Sequence, residues 1–99
     1  MPTEFIENIV ETVSLAIANK YNLNPFECLN IGLQTIKETY GINSRIVKIV
    51  DTTNNVKYVG KCSDNSSDIE LYAYNDKLQI KGKCLGKYST ENNTISLVT

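Results

Sequence analysis

The chain has 99 residues, 41% of them hydrophobic, a formal net charge of −1 and no histidine. A chain of this length can bury one core but not two, so we expect a single domain spanning residues 1–99. The near-neutral charge argues against a general nucleic-acid coat or a polybasic membrane binder, because both bind through many uncompensated cations. The lack of histidine removes the commonest general base and the commonest metal ligand.

A first helix is predicted from Thr3, which can cap it, to about Lys20. Apolar residues recur there at spacings of three and four, which places them on one side of a helix. The predicted inner face is formed by Phe5, Ile6, Ile9, Val10, Val13, Ala16 and Ile17.

A second helix is predicted to begin at Asn24-Pro25-Phe26-Glu27, which combines an N-cap, a proline at the first helical position and a glutamate that can reach back to the cap. Its predicted inner face holds Phe26, Leu29, Leu33, Ile36 and Tyr40. Gly32 permits close approach of the first helix, and Gly41 supplies the left-handed residue that ends the second. Residues 1–41 are therefore predicted to form a helical hairpin.

From residue 44 to residue 98 the hydrophobic period changes to two, which is typical of strands. We expect five or six short antiparallel strands, with a two-residue turn at Asn75-Asp76 and another hairpin around Glu91-Asn92-Asn93. An antiparallel sheet commonly buries one face and leaves the other in water. The sequence thus predicts an α+β fold, with the N-terminal helical hairpin packed on one face of a five- or six-stranded antiparallel sheet.

Two segments, 56–62 and 78–84, share an alternation of apolar or small residues with mostly polar ones. At the two-residue period of a strand, the lysines in and beside both segments point away from the core. The turn at Asn75-Asp76 also sets their expected cross-strand partners. The expected pairs are Tyr74 with Lys77, Tyr72 with Gln79, Glu70 with Lys81 and Asp68 with Lys83.

The candidate binding site is this lysine-rich surface with its two neighbouring tyrosines. Its predicted residues are Lys57, Lys61, Tyr72, Tyr74, Lys77, Lys81 and Lys83. The simpler interpretation is an exposed face of cross-strand ion pairs that keeps the sheet in solution. The functional interpretation is that unpaired lysines beside tyrosines bind an acidic protein surface, a nucleotide or a single-stranded nucleic acid. No arginine is expected on this face, so recognition would rely on point charge.

Three cysteines, Cys28, Cys62 and Cys84, fall at apolar positions and are expected to be reduced, buried small hydrophobes. The alternative is a disulfide between Cys62 and Cys84, which requires their strands to be neighbours in register. Their spacing lacks the paired ligands of a zinc site. The segment 63–68 offers oxygen ligands for a hard cation, but a turn rich in Asx and Ser residues explains it better.

No catalytic set is evident, so we expect no enzyme activity, no cofactor and no metal. We expect a small binding protein that acts stoichiometrically on a host protein, as an accessory or inhibitory protein of a phage or mobile element. The small size and the abundance of Asn, Ile and Lys favour that origin. The alternative functions are a nucleotide or single-stranded nucleic-acid binder and, less favoured, an enzyme whose site forms between chains.

The N-terminal residues lack the positive region of a signal peptide, and no apolar run approaches membrane-spanning length. We therefore expect a cytoplasmic protein with no membrane partner. We also expect a homo-oligomer, because two helices are a small cover for the sheet and an edge strand such as residues 94–98 can pair with another copy.

Overall fold

The computed structural model describes residues 3–52, 55–63 and 68–97. Within them the chain forms two helices followed by six strands. Their bounds are α1 (Thr3–Lys20), α2 (Pro25–Tyr40), β1 (Asn43–Thr52), β2 (Asn55–Ser63), β3 (Asp68–Ala73), β4 (Lys77–Ile80), β5 (Lys83–Ser89) and β6 (Thr94–Leu97). The strands form one antiparallel sheet, and both helices pack against it. The predicted α+β fold is confirmed.

The sheet is a meander in which every strand pairs with its neighbours in the chain, so the spatial order is β1-β2-β3-β4-β5-β6. The two helices divide the covered face between them. Helix α2 lies over β1 to β4, and α1 lies over β3, β5 and β6. We call this covered side of the sheet the inner face and the opposite side the outer face.

Local sequence signals set both ends of α2. The side chain of Asn24 accepts a hydrogen bond of 2.8 Å from the backbone N–H of Glu27, and Pro25 occupies the first turn. At the other end, Gly41 has a φ of 69° and its N–H donates to the carbonyl of Lys37. These contacts satisfy backbone groups that the helix itself leaves unpaired, and they confirm the predicted start and stop.

The buried face of α1 is rotated around the helix relative to the prediction. Phe5 is 44% exposed and Ala16 is also exposed, whereas Ser14 is buried. With 100° between successive residues, Phe5 and Ala16 lie roughly a quarter turn from the centre of the buried face. On α2, Tyr40 is likewise 45% exposed, at the last residue of the helix.

Glycine allows α2 to approach the sheet closely. A Cβ added at Gly60 of β2 would lie 2.6 Å from Cδ1 of Leu33 and 3.0 Å from Cδ1 of Leu29. The predicted contact at Gly32 is looser, since a Cβ there would lie 3.7 Å from Cδ1 of Ile17. The sheet glycine therefore matters more than the helix glycine for the spacing of the two layers.

The predicted strand through residues 78–84 is wrong, because the chain turns in the middle of it. Strand β4 ends at Ile80, and Lys81 and Gly82 adopt positive φ values of 42° and 93°. Glycine adopts such a φ without strain, and the tight turn starts a new strand at Lys83. The helices of the described chain are too short or too polar to cross a membrane.

Candidate binding surface on the outer face

Strand pairing determines which charged side chains share the outer face, because residues opposite one another on adjacent strands project to the same side. Basic residues outnumber acidic ones where the structure describes the side chains. The basic residues are Arg45, Lys48, Lys57, Lys61, Lys77 and Lys87, and the acidic residues are Asp68 and Glu70. The chain is almost neutral as a whole, so this face concentrates its positive charge.

Two tyrosines and two lysines form the centre of this surface, and we call them the Lys/Tyr cluster: Lys57, Tyr72, Tyr74 and Lys77. The tyrosine rings are 6.5 Å apart between centroids and inclined by 24°. The amino group of Lys57 lies 4.3 Å from the Tyr72 centroid and 5.7 Å from the Tyr74 centroid. That of Lys77 lies 5.3 Å from the Tyr74 centroid. All these distances are within the range of cation–π attraction.

The backbone explains why these four side chains meet. Tyr72 and Tyr74 are two residues apart along an extended segment, so both project to one side. The turn at Asn75-Asp76 then brings Lys77 beside Tyr74, whose N–H donates to the Lys77 carbonyl at 2.8 Å. Tyr72 also lies opposite Gln79 as predicted. All four side chains of the cluster are half-buried.

The carboxylate of Glu70 bonds to a tyrosine of the Lys/Tyr cluster rather than to a lysine. The Tyr72 hydroxyl donates a hydrogen bond to the Glu70 carboxylate. This bond is the main cause of a raised pKa for the Tyr72 phenol, because ionisation would remove the donated proton. Slight desolvation and the negative charge of Glu70 act in the same direction. Lys81 lies opposite Glu70 as predicted, with its backbone N–H donating to the Glu70 carbonyl at 3.3 Å, but no ion pair joins the two side chains among the described residues.

Lys61 extends the surface along β2, beyond the Lys/Tyr cluster. Its amino group lies 3.6 Å from the carboxylate of Asp68, so the predicted pair of Asp68 with Lys83 does not form. Arg45 is the cross-strand partner of Lys61, which places two cations side by side. The expectation that this face carries no arginine is therefore wrong.

Lys81 and Lys83 are predicted site residues that, among the described residues, form no hydrogen bond or ion pair with the Lys/Tyr cluster. The Lys81 amino group donates to the backbone carbonyl of Asp68 at 3.1 Å, from the turn that ends β4. Lys83 forms an ion pair with Glu11 of α1. Both positions follow from the turn at residues 81–82, which breaks the alternation that the sequence suggests.

Sequence analysis missed Arg45 and Lys48 as members of the outer face. They are three residues apart, so simple alternation would place them on opposite sides of a strand. A register shift between Ile46 and Lys48 adds a residue to β1, and both basic residues consequently face outward. The only sequence signal for Arg45 and Lys48 was their positive charge on a strand predicted to lie near the lysine strands. No sequence feature marks the register shift that turns both of them outward.

Tyr72 has a buried apolar neighbour on the adjacent strand, and lysine amino groups lie over both tyrosine rings. Val59, the cross-strand neighbour of Tyr72, is only 7% exposed although it belongs to the outer face. Lys57 and Lys77 each lie over a tyrosine ring. A base could stack on those ring faces only by displacing the lysines, which disfavours stacking on them as a binding mode.

The cysteines form no disulfide in this structure. Cys62 lies on the inner face of β2 and Cys84 on β5, with β3 and β4 between them, so they are too far apart to bridge. Burial raises the pKa of Cys28 to about 11 and that of Cys62 to about 12. Cys84 is half-buried, so complete burial is wrong for that residue.

The described residues contain no group of three or more His, Cys, Asp or Glu side chains that could hold a metal ion.

An open cleft of about 460 Å³ lies between α2 and β1, with Leu33, Lys37, Arg45 and Ile46 in its lining. No family model, curated protein or solved structure matches the chain.

Proposed function

We propose that the protein is a non-enzymatic binding module whose Lys/Tyr cluster binds an acidic surface on a partner protein. The observation that supports this proposal is the placement of two tyrosines between two lysines at the centre of a predominantly basic face. Tyrosine is enriched among the residues that dominate binding energy in protein interfaces, and surrounding charge steers the partner.

The cluster has features that favour tight binding. Its members already contact one another in the free protein, so less side-chain freedom is lost when a partner binds. Arg45, Lys48 and Lys61 lie on the same outer face along β1 and β2, and cations at an interface rim raise association rates at low salt. We propose further that the partner is a host protein, bound stoichiometrically by an accessory or inhibitory protein of a phage or mobile element. Its small size and its abundance of Asn, Ile and Lys support this last step.

A nucleotide or single-stranded nucleic acid is the second candidate ligand. The nearly parallel tyrosine rings, 6.5 Å apart, beside several cations are the observation that favours it. Its weakness is that Lys57 and Lys77 lie over the rings on which bases would stack. We therefore rank an acidic protein surface first.

The first experiment compares capture of proteins from a host lysate by three forms of the chain. These are the wild type, a Tyr72→Ala/Tyr74→Ala variant and a control, Tyr21→Ala/Tyr40→Ala, whose tyrosines are 45% exposed and outside the cluster. A captured protein is then purified and titrated calorimetrically with each form. We expect one-to-one binding, weakened at least about tenfold in the cluster variant, while the control variant binds like the wild type.

The second experiment separates the two ligand classes. Fluorescently labelled oligo(dT) and a labelled mononucleotide are titrated with the same three forms at rising salt concentration. Salt-sensitive binding that requires Tyr72 and Tyr74 would favour the nucleic-acid candidate. If the purified protein partner binds the cluster variant as tightly as the wild type, the proposed protein-binding site is wrong.

A further inference from the structure

A second cleft, also of about 460 Å³, opens at the end of the sheet where β1 begins and β2 ends. We call it the cationic cleft. Its described lining includes three basic side chains, one carboxylate, one amide and one hydroxyl, from Lys37, Asn43, Arg45, Lys61, Ser63 and Asp68. Three positive charges against one negative charge leave an excess of two positive charges in this part of the cleft.

The strand register places like charges side by side in the cationic cleft. Arg45 of β1 is the cross-strand partner of Lys61 of β2, and Lys37 joins them from the last turn of α2. Like charges directly opposite one another on adjacent strands destabilise a sheet. Asp68 lies 3.6 Å from the Lys61 amino group, but Lys37 and Arg45 have no ion-pair partner among the described side chains. A bound anion would offset this repulsion.

The cationic cleft is continuous with the open cleft between α2 and β1, which we call the α2–β1 cleft. The residues common to both are Lys37, Ser44 and Arg45. Away from these residues, Leu33 and Ile46 give the α2–β1 cleft an apolar wall. The carboxylate of Glu38, also in its lining, accepts a hydrogen bond of 3.0 Å from the Gln34 amide. One end of the combined space therefore suits an anionic group and the other an uncharged organic group.

We propose that the joined clefts bind a small organic phosphate, with its phosphate group in the cationic cleft and its organic part against Leu33 and Ile46. This proposal does not depend on the proposed function. A phosphate monoester carries a charge of about −1.5 to −2 at neutral pH, which matches the excess positive charge of the cleft. Each cleft also has the volume of an ordinary small-molecule site, about 300–1,000 Å³.

The basic residues have different roles in this proposal. The planar guanidinium of Arg45 can donate two parallel hydrogen bonds to phosphate oxygens, which fixes the orientation of the group. Lys37 and Lys61 act as point charges from two sides. The described lining of both clefts contains no aromatic side chain, so the organic part is held by apolar contact and not by ring stacking.

The proposed phosphate site is separate from the Lys/Tyr cluster. Lys61 and Lys57 are four residues apart on β2, which corresponds to about 13 Å along a strand. No member of the cluster is in the described lining of either cleft. A ligand in the clefts therefore leaves the tyrosines free, and the two sites can be tested independently.

The test is a titration of the isotopically labelled chain with phenyl phosphate, followed through backbone amide chemical shifts. We expect saturable binding, with the largest shifts at residues 43–46 and 61–63 and none at residues 72–77. Phenyl sulfate keeps the ring but carries one negative charge, and inorganic phosphate lacks the ring. Each should bind at least about tenfold more weakly than phenyl phosphate, because each loses one half of the proposed recognition.

Variants locate the site. Arg45→Gln removes the guanidinium and should weaken phenyl phosphate binding at least about tenfold. The matched control is Lys20→Gln, which removes one positive charge at the end of α1, outside the described lining of both clefts. It should bind like the wild type, as should the Tyr72→Ala/Tyr74→Ala variant. The amide spectra also show whether each variant is folded.

Thermal unfolding separates specific binding from a general effect of salt. Phenyl phosphate should raise the Tm of the wild type more than sodium chloride of equal ionic strength does, and Arg45→Gln should abolish the difference. Equal effects of the two salts, or an affinity that Arg45→Gln leaves unchanged, would overturn the proposal. Inorganic phosphate that binds as tightly as phenyl phosphate would overturn the role of the α2–β1 cleft.

Discussion

Lys57 lies across two aromatic rings, with its amino group 4.3 Å from the centre of Tyr72 and 5.7 Å from the centre of Tyr74. One lysine therefore couples two tyrosines that are otherwise joined only by the backbone and by their own ring contact. Attraction of this kind is worth about 0.5–1 kcal/mol at an exposed site. The coupling makes the cluster a single structural unit, and replacing one member should affect the others.

The phenol of Tyr72 should ionise at a higher pH than an unperturbed tyrosine. Its hydrogen bond to Glu70 favours the neutral form and raises its pKa above the ordinary value of 10.0. In Glu70→Gln the negative charge is lost, and the pKa of Tyr72 should fall. The measurement is tyrosinate absorbance against pH, with Tyr72→Phe used to assign the signal. An unchanged titration in Glu70→Gln would show that this hydrogen bond does not control the phenol.

Two glycine substitutions should change stability in opposite directions. Gly60→Ala places a Cβ 2.6 Å from Leu33, and overpacking of this kind typically costs about 1–3 kcal/mol. Gly32→Ala meets only ordinary contacts at 3.7 Å or more and replaces a helix glycine, so it should gain about 0.5–1 kcal/mol. Urea unfolding of both variants measures the difference. Equal stabilities would contradict the close approach of α2 to β2.

The cysteines should differ in reactivity. Cys28 and Cys62 are buried and their pKa values are raised to about 11 and about 12, whereas Cys84 is half-buried. Titration of the native protein with a thiol reagent should modify Cys84 first, with all three reacting after unfolding. Rapid loss of Cys62 in the native state would contradict its burial.

The same two thiols should make the protein less stable in alkali. Their ordinary pKa is 9.0, and it is higher in the folded state, so the folded state binds more protons than the unfolded state above about pH 9. Stability is therefore unaffected by these groups at neutral pH and falls as the pH rises through about 9 to 12. Thermal unfolding of Cys62→Ala against pH should show a shallower decline than the wild type.

The N-cap of α2 should contribute measurably to stability. Asn24→Ala removes the 2.8 Å hydrogen bond to the Glu27 N–H, and the loss of such a cap typically costs about 1 kcal/mol. Asn30→Ala is the matched control, because Asn30 is exposed within the same helix. Denaturant unfolding of the two variants measures the free energy that the cap contributes. If Asn30→Ala destabilises the protein as much as Asn24→Ala does, the capping role of Asn24 is contradicted.

Local chemistry explains which parts of the fold the sequence could predict. Asn24, Pro25 and Gly41 act within one helical turn of their own position, so their residue types were sufficient to place the ends of α2. The two-residue turn before Lys77 is equally local, and it correctly fixed Tyr72 opposite Gln79. The Lys/Tyr cluster was predictable because it depends on that turn and on alternation.

The incorrect predictions concern positions where the alternation of apolar and polar residues fits two different backbone arrangements equally well. Gly82 fits either an inner strand position or a turn, and the turn at Lys81-Gly82 directs Lys83 to Glu11 of α1. The register shift at β1 moved Lys48 to the outer face, although strand propensity is the same with or without it. Both outcomes are decided by packing across the sheet rather than by neighbouring residues in the chain.

The contacts of α1 have a consequence for how the chain folds. Every strand pairing joins neighbours in the chain, and such short-range contacts favour rapid folding. Helix α1 is the exception, because it rests on β5 and β6 at the far end of the sheet. During synthesis, the apolar face of α1 therefore remains without its full cover until β6 has left the ribosome. We expect the sheet to assemble progressively but the core to close only in this final, long-range step.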